Sequence, residues 1–385
     1  MKKLLILAAA IAFGLPVSAQ IYYQDANNVD MLRPKAYRNP KRQEIVLPKV
    51  NGYNIYKADL HTHTIFSDGD CTPKYRVREA WLDGLDVMAV TEHIEYRPME
   101  KTYMQFLHAE ISDKTKLEHK GIVSDLNMPV ELAKKEAEKY DLTIIPGVEI
   151  TRAPETIGHY NALFTTDNNT IHSEDPMESI KNARKQGALV MHNHPGWRRK
   201  SVEMPEFEKK AYGEKLIDGV EIMNGQEVLP KIVTRAKNEG LFMAANTDIH
   251  ATTAQNYGMG GHYRNMTLIL APDKSLESLK EALKARRSIA YSIGSLAGDE
   301  QLLKEFFVAS IKFEDLGKNT NGKSDVWMIN NTSFGYYLRF GKDNVVELPA
   351  FTAQKVTTNE SGELSFTVLN MWIPGEKNLE IKLKF

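Results

Sequence analysis

Five apolar stretches of this chain run directly into a histidine, an aspartate or a glutamate. Asn54–Leu60 leads into Asp59-Leu60-His61-Thr62-His63, and Val87–Val90 into Thr91-Glu92-His93. Thr143–Val148 is followed by Glu149, and Ala188–Met191 by His192-Asn193-His194-Pro195. Phe242–Ala245 is followed by Thr247-Asp248-Ile249-His250. A strand buried on both faces reads as a continuous apolar run, so its ionisable residues collect at an end. A sixth run, His159–Phe164, opens with His159 directly after Gly158. Seven of the eleven histidines fall at these positions, which random placement would rarely produce. Residues two apart on a strand share a face, so His61 with His63, and Asp248 with His250, can each grip one ion.

Helical patterns separate most of these runs. Thr72-Pro73 supplies an N-cap and a first-position proline for a helix ending near Gly84, and Asp175-Pro176 does the same for one stopping at Gly187. Residues 129–140 and 228–239 are amphipathic, and 276–287 end in Arg286-Arg287, which suits a helix C-terminus. With the further strands Gly219–Met223 and Met266–Ala271, the rhythm predicts an α/β fold with a parallel sheet under helical cover, closed into a barrel over residues 51–297. In such a barrel the chemistry sits at the C-terminal ends of the strands.

The rhythm changes near Gly298. Phe306–Phe313, Asp325–Ile329, Gly335–Phe340, Val345–Leu348, Glu363–Leu369 and Leu379–Phe385 read as short alternating strands divided by turns such as Asn319-Thr320-Asn321-Gly322. They predict a small all-β, sandwich-like domain over 298–385. At the other end, Lys2-Lys3, the apolar run Leu4–Phe13 and Pro16-Val17-Ser18-Ala19 read as a signal peptide over 1–19 cleaved after Ala19. The expectation is an exported, periplasmic protein without a membrane span. Residues 20–50, with Pro34, Pro40 and Pro48, read as an extended N-terminal arm.

Composition narrows the function classes. The formal net charge is −1, from 49 Lys plus Arg against 50 Asp plus Glu, so a long polyanion held by bulk charge is not favoured and no stable nucleic-acid partner is expected. The single cysteine, Cys71, excludes an internal disulfide framework and a zinc finger, and lacks the neighbours of a nucleophile. His108, His119, His172 and His262 lie in polar sequence and read as surface residues; His192 stays open between ligand and support.

Taken together, Asp59 to Gly69 resembles the first motif of the PHP family, named for polymerase and histidinol phosphatase. Thr91-Glu92-His93, Gly147-Val148-Glu149, Asn193-His194-Pro195 and Asp248-Ile249-His250 resemble its later motifs, in order, between about residues 54 and 290. The resemblance implies a distorted seven-stranded (β/α)7 TIM-like barrel with two or three divalent ions. It assigns His61, His63, Glu149 and Asp248 to the first ion. Glu149, bridging, with His159 and His194 holds the second, and Asp68, His93 and His250 the third. Ligands of nitrogen and oxygen without thiolate suit Zn, Mn or Fe. The implied reaction is hydrolysis of a small-molecule phosphate ester by water that the ions deprotonate, without a phosphoenzyme. Asp248, His250 and Glu149 are the candidate catalytic residues, with Arg198 clamping phosphate. Arg199, Arg97, Tyr96, Arg152 and Trp197 are further candidate substrate contacts. The stretch 96–141 reads as an insertion or lid. An exported nuclease, an amidohydrolase-type hydrolase and a non-catalytic metal-binding module are the alternatives; Glu149 and the Asp248–His250 pair weigh against the amidohydrolase pattern.

Overall fold

The computed structural model describes residues 22–34, 41–99, 125–258 and 262–385. The signal-peptide reading of 1–19, and His108 and His119, lie outside the described residues. The chain divides into a unit ending at Gln43 and a unit from Glu44 to Phe385. In the first unit Tyr22–Gln24 and Leu32–Pro34 pair antiparallel, so this part of the expected arm is a hairpin rather than simply extended.

In the second unit seven strands follow one another round the sheet. They are β1 (Asn54–Asp59), β2 (Val87–Val90), β3 (Thr143–Thr151), β4 (His159–Leu163), β5 (Leu189–Asn193), β6 (Gly219–Asn224) and β7 (Phe242–Asn246). β2, β4 and β7 are buried throughout, as strands covered on both faces must be, whereas half of β1 is only partly buried. Just beyond the ends of β1 and β7, Thr62 and Ile249 form a parallel bridge. The His63 N–H donates to the Ile249 carbonyl at 3.1 Å, and the Asp248 N–H to the His61 carbonyl at 3.0 Å. The first and last strands therefore meet where their ionisable residues lie.

The expected parallel sheet needs two corrections, at β4 and at Met266–Ala271, which runs antiparallel to β1. β4 runs antiparallel to both β3 and β5. Only residues 152–158 connect β3 to β4, too few for the dozen or more that a parallel crossover needs. Reversal brings the first residue of β4, His159, to the rim where its neighbours end. Helices cover the outside. Thr72 caps Pro73–Leu82 by accepting from the Tyr75 N–H, and Asp175 caps Pro176–Lys185 by accepting from the Met177 N–H. The helix Met128–Ala137 buries Val130, Ala133 and Ala137 in one cluster with Val77 and Ala80 of Pro73–Leu82. That part of the 96–141 stretch is outer cover and not a lid; residues 100–124 lie outside the described residues.

β8 (Met266–Ala271) pairs antiparallel with β1, and Ser288–Ser292 and Ser295–Ala297 continue from it. Leu296 and Ala297 then pair with Met371 and Trp372 of the long strand Glu363–Ile373, which joins the C-terminal strands to the same sheet. A second sheet of Ile311–Lys318, Ser324–Asn330 and Ala353–Thr357 faces them over a shared core containing Phe306, Phe307, Val326, Leu338 and Phe366. The expected strand Phe306–Phe313 is corrected. Glu300–Ser310 is a helix capped by Asp299, which accepts from Gln301 and Leu302 N–H, and the strand begins at Ile311. Leu303, Phe306, Phe307 and Ser310 are buried at helical spacing, which the short alternating reading missed. Among the described residues no helix is long and apolar enough to cross a membrane.

Candidate metal centre

The strand ends collect their histidines and acids around Glu149, a fully buried residue near the end of β3. Its Oε2 lies 3.5 Å from both His61 Nε2 and His63 Nε2 and 2.6 Å from His93 Nδ1. Its Oε1 lies 3.1 Å from His159 Nδ1 and 3.8 Å from His194 Nε2, and accepts from Asn193 Nδ2 at 2.9 Å. Asp248 faces it across the rim, with Oδ1 3.2 Å from His61 Nε2 and 3.0 Å from His63 Nε2. Its Oδ2 is 3.7 Å from His194 Nε2. Asp68 Oδ1 sits 3.4 Å from His93 Nε2 and 3.2 Å from His250 Nε2.

Several local devices make this convergence. Asp68 belongs to a turn in which the Gly69 N–H donates to the Thr64 carbonyl at 2.9 Å. A Cβ at Gly69 would come within 2.8 Å of the His63 carbonyl carbon and the Thr64 nitrogen, so only glycine lets the turn fold back this tightly. Buried Arg76, on the first cover helix, donates to the carbonyls of His63 at 3.1 Å and His250 at 3.0 Å. Asp248 and His194 have φ of 52° and 27°, in the left-handed region that side chains rarely adopt. Such strain persists where surrounding contacts over-determine it.

The electrostatics match a cation site. Burial opposes a charge on His61, but Asp248, Glu221 and Glu149 outweigh it and raise its pKa well above the usual imidazole range. His93 is likewise buried, yet Glu149 and Asp68 push it up to about 10. His63, with burial and the neighbouring His93 and His250 against its charge, falls to about 3. Glu149 and Asp248 are held well below the usual carboxylate range by the surrounding imidazoles, which overcome burial. Four atoms, His61 Nε2, His63 Nε2, Asp68 Oδ1 and Glu149 Oε2, are buried without an aligned hydrogen-bond partner. Buried polar atoms are ordinarily paired. Donors left open toward one another fit divalent ions, which supply the missing partner. The groups close enough to share an ion are His61–His63–Glu149, Glu149–His159–His194, His61–His194–Asp248 and His63–Asp68–His93–His250.

All nine sequence-predicted ligands therefore lie in one cluster. A cavity of about 540 Å³ opens onto it, lined by Asp68, His93, His159, His194, Asp248 and His250, with Tyr96, Arg152, Trp197 and Arg198 around them. Arg198 lies 4.5 Å over the Trp197 ring. Other candidates are engaged elsewhere. Arg199 pairs with Glu208, and Arg97 donates to the His93 carbonyl at 2.7 Å. Arg152, though it lines the cavity, is 2.8 Å from Glu95 Oε1. His192 turns away from the cluster, with Nδ1 2.9 Å from the Tyr212 hydroxyl and Nε2 3.3 Å from Glu208. His172 and His262 are both exposed, and His172 Nδ1 lies 3.4 Å from Glu95. Cys71 is buried, and burial pushes its thiol pKa up.

Sequence reasoning missed the residues behind the ligands. Glu221 lies within β6 with its Oε1 2.9 Å from His61 Nδ1. Asp59 accepts from the backbone N–H of His61 and of Thr247, each at 3.2 Å, and pairs with buried Arg264. The available signal was an ionisable residue inside an apolar run, Glu221 between Val220 and Ile222.

The PHP domain model matches residues 59–289. An uncharacterized protein of Methanocaldococcus jannaschii is 26% identical over 231 residues, 55% of this chain and 93% of that protein. A two-domain crystal structure from Bacteroides vulgatus, described as containing a predicted PHP-like metal-dependent phosphoesterase, is 32% identical with a TM-score of 0.79. That match covers 90% of this chain and 99% of the other, so the C-terminal strands are shared as well as the metal-site half. The chain belongs to the PHP domain family.

Proposed function

We propose that the protein hydrolyses phosphate esters of small molecules with two or three divalent ions of Zn, Mn or Fe. The observation that carries the reading is the set of buried, open ligand atoms around Glu149, beside a cavity lined by six of the nine predicted ligands. His61, His63, Glu149 and Asp248 hold the first ion, Glu149, His159 and His194 the second, and Asp68, His93 and His250 the third. Bound ions supply Lewis acidity and lower the pKa of water into the neutral range. Asp248 and His250 line the cavity, where they hold or accept a proton from the attacking water. Arg198, stacked on Trp197, presents its guanidinium to the phosphate oxygens. A volume of about 540 Å³ is the size of a small-molecule pocket. The seven-stranded reading of the barrel follows the order β1 to β7 and its closing bridge. Export with cleavage after Ala19 belongs to the same proposal, and N-terminal sequencing of the secreted form tests it.

The functional test is elemental analysis of the purified chain coupled to a panel of phosphate mono-, di- and triesters, with His194→Ala and Asp248→Ala in parallel. Bound transition metal, ester turnover and loss of both in the variants are expected. Turnover that survives both substitutions refutes the site.

A further inference from the structure

We infer that Glu221 is a positioning residue that supports two of the metal sites at once, setting the His61 ring and the His194 backbone through its two oxygens. It rests on the metal-centre reading above. Glu221 is fully buried in β6, and both oxygens are occupied. Oε1 lies 2.9 Å from His61 Nδ1 and accepts from Asn246 Nδ2 at 2.9 Å. Oε2 accepts the His194 backbone N–H at 2.7 Å and Asn224 Nδ2 at 2.9 Å.

The two halves of this arrangement do different work. A carboxylate beside Nδ1 places the His61 ring proton there, which leaves Nε2 with a lone pair aimed between Glu149 and Asp248. The other oxygen ties down the His194 backbone at its φ of 27°. That conformation points Nε2 toward Glu149 Oε1 at 3.8 Å and Asp248 Oδ2 at 3.7 Å. His61 is a ligand of the first ion and His194 of the second, so one side chain orients a ligand of each. Asn246 and Asn224, on the ends of β7 and β6, each donate to one oxygen of the carboxylate. A carboxylate serving only to fill polar valence in the core would have no reason to meet a ligand ring on one side and a ligand backbone on the other.

The experiment is titration of the full-length, chelator-stripped chain with Zn²⁺ alone, against a competing chelator and by calorimetry. It compares wild type, Glu221→Gln, Glu221→Asp and Glu208→Gln. A glutamine keeps the volume but turns an N–H₂ toward either His61 or the His194 N–H. An aspartate keeps the charge but is one methylene short of spanning both. Each Glu221 variant is expected to lose about 10–100-fold in Zn²⁺ affinity, the range for loss of an outer support, at both the first and the second site. Glu208→Gln, which removes a buried carboxylate that meets none of the nine ligands, is expected to keep wild-type affinity. Circular dichroism of the metal-free forms confirms the fold, and the aspartate variant carries the test if the glutamine variant does not fold. Wild-type affinity in a folded Glu221 variant, loss at one site only, or an equal loss in Glu208→Gln overturns the inference. Failure of the wild type itself to take up Zn²⁺ overturns the metal reading, and with it this inference; Zn²⁺ uptake without ester turnover leaves this inference standing and refutes the hydrolase.

Discussion

The ion pair of Arg264 and Asp59 ties the end of β1 to the entry of β8, and breaking it should be costly from either side. Arg264 is 3% exposed and Asp59 fully buried. Arg264 meets Asp59 Oδ2 and reaches Asp83 Oδ2 at 3.0 Å. Asp59 also accepts from His61 N–H and Thr247 N–H at 3.2 Å each, and from the Thr247 hydroxyl. Removing one partner of a buried pair costs about 3–5 kcal/mol, because the other is left uncompensated. In Arg264→Met, Asp59 keeps its three donors, which places the cost near the lower end, about 3 kcal/mol. In Asp59→Asn, Arg264 keeps Asp83, again about 3 kcal/mol. Each single change leaves a different partner uncompensated, Asp59 or Arg264, and the double variant leaves neither. It should therefore cost about 3–4 kcal/mol in place of about 6, a coupling of about 2–3 kcal/mol. The assay is urea unfolding in excess chelator, so that metal adds nothing, followed together by near-ultraviolet circular dichroism and tryptophan fluorescence. Single-variant costs that sum within about 0.5 kcal/mol would refute the coupling.

Three further outcomes test other parts of the structure. At Gly219, where a Cβ would come within 2.1 Å of a Phe242 ring carbon, Gly219→Ala should destabilise by about 1–3 kcal/mol through overpacking between β6 and β7. Adding Phe242→Leu should restore part of that loss in thermal melts. Glu208 is buried, but His192 and Arg199 hold its carboxyl below its ordinary 4.5. A lowered folded-state value means its contribution is present above about pH 4.5 and fades as pH falls through that lower value. The stability gap between wild type and Glu208→Gln should accordingly be flat near neutrality and narrow in acid, as read by urea midpoints against pH. Arg198→Ala should lower kcat/KM for a phosphate monoester about 10–100-fold, the loss of one charge-assisted hydrogen bond pair; an unchanged value would remove Arg198 from the substrate.

Much of the fold was legible because its strands are buried on both faces and so announce themselves as short apolar runs. Strand direction was less so. β4 looks like its neighbours in composition, and only the seven positions from 152 to 158 between it and β3 betray that it must turn back. The helix Glu300–Ser310 was misread for a related reason. Phe306 and Phe307 are aromatic and lead into a genuine strand at Ile311, whereas the helical signal lies in Asp299 as N-cap and in the spacing of Leu303, Phe306, Phe307 and Ser310. Both misses concern a period or a connection length that the window around each apolar run did not include.

The metal centre was legible for a sharper physical reason. A ligand must sit where a strand ends and point into a cavity, so it interrupts an apolar run at its boundary, where even a single sequence displays it. A supporting residue has no such constraint on its position. Glu221 lies in the middle of β6 and Asp59 at the last residue of β1, each hidden among neighbours whose burial it shares. The cost of burying such a group without partners is what makes it readable afterwards. Glu221 between Val220 and Ile222 demands several donors, and the chain supplies them from Asn224, Asn246, His61 and the His194 backbone. An acid inside an apolar strand next to a histidine-rich rim is therefore a question about what it orients, and here both answers, His61 and His194, belong to groups that could hold a metal ion.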